Sequence, residues 1–297
     1  MSSSENPQSE PQVPLRGDSR AAANGGLEPN GLGPAIPPGP SSDTAPHGPP
    51  PVENPVWNGW DVLLITALTI VAMLVLQVMV IFGALWLVYP HSTFSIVVQK
   101  PILLLVSQLL VYLATAALMV MLVEGKYHAP FWSAIRWNWP DAAWGLLALG
   151  AVMLFALTLL QNLLPMPKDT PFEHLFDRPR DAYLLSIIAV TVGPLMEELF
   201  FRGLLYPVLA RRLGVLWGIL LTALPFGLIH LPQYGWAWGA ALVIFLVGVV
   251  CGAVRAATKS VGASFLVHAG YNGTQMVIAL VATHGFRHLD KASIWVQ

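Results

Sequence analysis

The sequence predicts an all-α polytopic transmembrane bundle of about seven to eight helices behind a disordered N-terminal tail, and three observations carry that reading. The 297 residues are 55% hydrophobic and only 10% charged, where a soluble domain carries about 25% charged residues. The apolar residues fall in runs long enough to cross a bilayer, which takes about 20 residues as a helix. Ionisable residues are missing from the early runs and gather in the later ones.

The tail comes first. Residues 1–55 are rich in Pro, Gly and Ser and hold about half of the chain's 25 prolines. Such a stretch buries too little apolar area to offset its ordering entropy, so it is expected to be disordered. It lacks the charged start and apolar centre of a signal peptide.

Seven apolar spans are expected near 62–89, 101–123, 142–164, 183–209, 216–231, 237–254 and 261–282. Splitting the first would make eight. The fifth is short, with Pro225 and Pro232 about its end. Residues 56–182 form the N-terminal group of spans, 183–283 the site-bearing group, and 284–297 a short C-terminal tail. Trp57, Trp60, Trp86, Trp132, Trp137, Trp139 and Trp144 lie near span ends, where an interfacial aromatic belt belongs. Lys126, Arg136, Arg211, Arg212, Arg255 and Lys259 are expected on the side of the N-terminal tail. The expected location is an integral, multi-pass protein of a bacterial-type inner or plasma membrane.

Net charge is −1, and no basic patch with interleaved aromatics exists, which argues against a nucleic-acid partner. The single cysteine, Cys251, lies in an apolar run and reads as a small core residue.

The first three spans contain no Asp, Glu, Lys, Arg or His, whereas the last four contain Glu197, Glu198, Arg202, His230 and His268. A charge at membrane depth costs from about 3 kcal/mol upward, so such residues face a cavity and serve function. Glu198 and Arg202 are four apart and share a helical face, with the acid on the favourable N-terminal side. Glu197 lies about 100° away. Arg202 is therefore expected to hold Glu198 ionised, leaving Glu197 freer to take a proton. Pro194 withholds a backbone donor just upstream and is expected to bend the helix. Phe226 with His230, and His268 with Asn272, are further pairs at four-residue spacing.

Two acids, two imidazoles and an amide suit activation of water and stabilisation of a developing oxyanion. The chain lacks H-E-x-x-H and G-x-S-x-G, and its spans hold no pair of aspartates. Ser264 precedes His268 by four residues, but neighbours on one helix form no oriented triad. Glu197, His230 and His268 could form a His₂Glu set for a divalent metal such as zinc. No cofactor is firmly implied.

With these residues in hand, the chain resembles the CPBP family, the CAAX-prenyl-protease and bacteriocin-processing intramembrane endopeptidases. The family pattern of EExxxR, FxxxH and HxxxN on successive membrane helices reads here as MEELFFRG, FGLIH and HAGYN. The resemblance implies that Glu197 and His230 activate water and that His268 and Asn272 form the oxyanion hole. Glu198 and Arg202 would support them, and Phe226 would shape the pocket. It implies a metallo- or glutamate-dependent endopeptidase acting on membrane-associated peptides or proteins within the lipid bilayer. The competing expectation is a non-catalytic membrane scaffold or immunity-type protein whose polar site is structural. A proton-coupled transporter would show internal repeats, and none is present.

Overall fold

The computed structural model describes residues 53–166 and 178–287; residues 1–52, 167–177 and 288–297 lie outside the described residues, as does the tail expectation over 1–52. The described residues are helical, with no strand among them. A lipid-facing chain has no water to satisfy its backbone, and helices satisfy theirs internally.

The first long helix, α1 (Gly59–Leu87), opens on a capping box in which the Asn58 side chain and Asp61 exchange hydrogen bonds with each other's backbone. Asp61 also accepts from Lys126 and Tyr127, which raises the Tyr127 phenol pKa above its ordinary value. The short α2 (Phe94–Val97) leads into α3 (Pro101–Val120), which continues as a π-helical turn over Met121–Lys126. Thr69 of α1 and Thr115 of α3 hydrogen-bond across their contact at 3.2 Å. Leu63, Leu74, Met79 and Phe82 of α1 are exposed, as apolar residues against lipid should be.

After the short α4 (Phe131–Ala134), α5 (Ala143–Gln161) crosses the last helix, α11 (Val261–Ala282), backbone to backbone. Gly150 and Gly270 make this approach possible. A Cβ on Gly150 would lie 2.2 Å from the Val267 carbonyl, and one on Gly270 would lie 2.4 Å from that of Leu147. Small residues at such crossings are what membrane helices use to pack closely.

The span Pro179–Leu213 is not one continuous helix. It comprises α6 (Pro179–Val190), α7 (Val192–Glu198), a π-helical segment (Leu199–Leu205) and α8 (Tyr206–Leu213). The break falls at Thr191, where φ is −115° and ψ −77°. Pro194 cannot donate to the Val190 carbonyl, so its effect is felt one turn upstream. Next to it, the Ala189 carbonyl accepts from Asn272 Nδ2 at 2.7 Å. Further along, Pro207 again lacks a donor, and the ladder ahead of it shifts register, with Tyr206 N–H donating to Phe201 O.

Of the seven expected spans, six are helices long and apolar enough to cross a membrane, which makes this an integral multi-pass protein. The first is a single 29-residue helix and is not split. The fifth is corrected: α9 (Val215–Leu228) has only 14 residues, about 21 Å at the α-helical rise. That is short of a hydrocarbon core of about 30 Å. Its chain turns through a 3₁₀ segment (Leu231–Tyr234) into α10 (Trp238–Thr258).

Two further expectations change. Trp57 does not face outward as a belt residue would; it is buried, and its indole donates to the Leu204 carbonyl at 2.9 Å. The chain is also pinned before residue 55. Glu53 is buried and accepts from Arg255 at 2.9 Å and from Arg136 at 3.3 Å. Arg211 donates to the Pro55 carbonyl at 3.0 Å. These three arginines do lie together beside the entering chain.

Candidate active site

The site is built at the end of α7, where Glu197 and Glu198 meet side chains from α11 and from the turn after α9. Glu198 and Arg202 have no exposed side-chain surface, and they pair at 3.0 Å. Arg202 also donates to the Gly248 carbonyl of α10 at 2.8 Å. Its guanidinium lies 4.6 Å from the centroid of the Phe226 ring, a cation–π contact in a desolvated setting. Gly248 permits this: a Cβ there would come within 3.0 Å of Ala223 and Phe226.

The Glu198 carboxylate accepts from three side chains on two elements, the π-helical segment and α11. Oε1 takes Arg202 and His268 Nδ1, the latter at 2.9 Å, and Oε2 takes the Ser264 hydroxyl at 2.6 Å. Ser264 is therefore spent on a carboxylate, consistent with its rejection as a nucleophile. Its place in this network was the feature that residue-by-residue reading missed. The available signal was its four-residue spacing from His268, which puts both on one face of α11.

Glu197 is different. Its side chain keeps 20% of its surface and projects between two imidazoles, 3.9 Å from His230 Nε2 and 3.8 Å from His268 Nε2. The expected trio of Glu197, His230 and His268 is thus brought together. Phe226 packs against both rings, at 5.0 Å from His230 and 5.7 Å from His268 between centroids. It also supplies the carbonyl that faces His230 Nδ1 at 2.7 Å. That carbonyl sits in the last turn of α9, where backbone acceptors lack helical partners.

The tautomers follow from these contacts. A carbonyl and a carboxylate only accept, so His230 and His268 carry a ring proton on Nδ1, and both rings turn Nε2 towards Glu197. Asn272 lies one turn beyond His268, with one amide N–H committed to Ala189.

Two sets of side chains are relevant to a metal. Glu198, Cys251 and His268 offer ligand atoms within 4.8 Å of one another. Its carboxylate, however, is already balanced by Arg202 and hydrogen-bonded by Ser264, so this group serves packing better than a cation. Glu197 with the two Nε2 atoms has the donor chemistry of a His₂Glu zinc site, and both rings hold their other nitrogen on an acceptor as metal-bound imidazoles do. By donor type this second set fits the ion.

Residues 179–274 match the family model described as type II CAAX prenyl endopeptidase, Rce1-like. The match covers the EExxxR, FxxxH and HxxxN motifs and supports the family recognised from them; that family is one of proteases. It spans about a third of the chain, and α1 to α5 lie outside it. Comparisons with curated proteins and with solved structures returned no match.

Proposed function

We propose that this protein is an intramembrane endopeptidase that hydrolyses peptide bonds of membrane-associated peptides or proteins, with Glu197 as the general base. One observation carries the reading. A partly accessible carboxylate stands between two imidazole Nε2 atoms, each just beyond direct hydrogen-bond distance. A water molecule in that gap can donate one proton to Glu197 and the other to an Nε2 atom. Its own lone pair is then free to attack a carbonyl carbon. Glu197 takes the transferred proton and returns it to the departing amine.

His230 and His268 hold the water, and the contacts at their Nδ1 atoms keep both rings aimed. Glu198, Arg202 and Phe226 act through those rings, by fixing orientation and excluding water. Asn272 keeps one amide proton for substrate while the other closes the break between α6 and α7.

A divalent ion such as zinc would be held by Glu197, His230 and His268 and would supply Lewis acidity and a more acidic water. We favour the metal-free form. Ligands of a tetrahedral zinc at about 2.0–2.1 Å sit about 3.3 Å apart, and the separations of 3.8 and 3.9 Å suit a bridging water better.

The test is comparative proteomics of native membranes containing wild type or Glu197→Gln. Substrates should accumulate uncut in the variant while its level and fold stay unchanged. Identical membrane proteomes would sink the hydrolase reading in favour of a structural polar site.

A further inference from the structure

The α3 helix carries four polar side chains in an apolar span: Ser107, Gln108, Tyr112 and Thr115. Ser107 and Thr115 return their hydroxyl protons to their own helix, at the Leu103 and Val111 carbonyls. Gln108 and Tyr112 are left, four residues apart on one face and in contact with each other. Gln108 is exposed and Tyr112 half-buried; the Tyr112 ring packs against the core that holds Met196 and Leu199.

That face is turned to the Glu197 site. Tyr112 lies close enough for the Glu197 charge to act on its phenol. Its hydroxyl stands 3.8 Å from where a Cβ on Gly193 would be. Gly193 is one turn before Glu197 on the same face of α7, and having no side chain it leaves the hydroxyl a clear approach. A shallow apolar crevice between Pro101, Leu104 and Leu105 of α3 and Leu185 of α6 lies about two to three turns before Tyr112 along α3.

Peptide hydrolysis needs a donor where negative charge develops on the carbonyl oxygen. Here both Nε2 atoms face Glu197, and Asn272 has a single N–H left for substrate because the other is committed to Ala189. We propose that Tyr112, oriented by Gln108, is a catalytic residue whose O–H donates to the carbonyl oxygen of the bond being cut. The inference rests on the hydrolase reading above. Water oxygen bonds to the carbonyl carbon as its proton passes to Glu197. The C=O π pair moves onto oxygen, which accepts from Tyr112. On collapse C=O re-forms, the C–N bond breaks, and the Glu197 proton goes to the amine. Tyr112 remains protonated throughout.

The assay uses full-length protein in phosphatidylethanolamine–phosphatidylglycerol vesicles with a library of internally quenched peptides bearing a palmitoyl anchor. Tyr112→Phe should lower kcat by about 10²–10³-fold, with KM and the thermal midpoint near wild type. Fluorotyrosine in place of Tyr112, a stronger donor of nearly the same shape, should keep or raise kcat. Gln108→Leu should lower kcat less than Tyr112→Phe. If Tyr112→Phe retains most of its kcat while Glu197→Gln is inactive, the Tyr112 assignment falls and the hydrolase reading stands. A loss that tracks a lowered thermal midpoint and ignores fluorination also overturns it. If wild type cleaves no member of the library, both readings fall together.

Discussion

Replacing Glu198 and Glu197 by Gln, one at a time, separates the two roles assigned to adjacent residues. Glu198 has no exposed side-chain surface and accepts from Arg202, His268 and Ser264. Glu198→Gln leaves the Arg202 guanidinium buried and uncompensated, and removal of one partner from a buried pair costs about 3–5 kcal/mol. The scale of about 2–4 °C per kcal/mol for chains of comparable size converts this to a fall of about 6–20 °C in thermal midpoint. Glu197, by contrast, keeps 20% of its surface and stands beyond hydrogen-bond distance of both imidazoles. Glu197→Gln should stay within about 0.5 kcal/mol of wild type, the range of substitutions that break no buried partnership. The measurement is thermal unfolding in one detergent, followed by loss of monodisperse protein, with both variants run beside wild type. Equal midpoints for the two variants, or a larger loss in Glu197→Gln, would refute the division of labour.

Gly270→Val should disrupt the α5–α11 crossing, because even a Cβ would meet the Leu147 carbonyl at 2.4 Å; expression and the thermal midpoint both fall. Glu53→Ala leaves Arg255 buried without its carboxylate, and a loss of about 3–5 kcal/mol is expected, read by unfolding or by protease clipping near residue 57. Arg255→Met in that background should recover part of the loss. Elemental analysis of purified protein is expected to find no stoichiometric zinc; zinc that disappears in both His230→Ala and His268→Ala would reverse the preference for a metal-free site. His230→Ala and His268→Ala should both abolish cleavage, but only His268→Ala should also destabilise the protein, since only His268 bonds the buried Glu198.

Much of the fold was legible because membrane helices announce themselves by length and apolarity. The 14-residue α9 was the exception: apolar composition marks a helix but not how far it reaches before the chain turns, and that turn is made by packing against α10. The break at Thr191 could be anticipated from Pro194, but not its position, since the lost donor is felt at the carbonyl four residues earlier. Trp57 and Glu53 were misjudged for one reason. Each looks like interface or tail by its neighbours in sequence, and each finds its partner, Leu204 O or Arg255, about 150 to 200 residues away.

The double glutamate shows where local information ends. Four-residue spacing on a helix is enough to pair Glu198 with Arg202, because both lie on one face of one element. It is also enough to set Phe226 beside His230, and His268 beside Asn272. Nothing in spacing could bring α9 and α11 onto either side of Glu197, turn the Nδ1 of one imidazole to a carbonyl and of the other to Glu198, or set Tyr112 of α3 beside Gly193. Those relations depend on how helices cross, and crossing is decided by close approaches such as Gly150 on α11 and Gly248 on Phe226. The sequence by itself determined which side chains are too polar for the bilayer and which face of its helix each occupies. Only the tertiary structure decided which of them meet, because helix periodicity is a property of one segment and a catalytic site is a property of several.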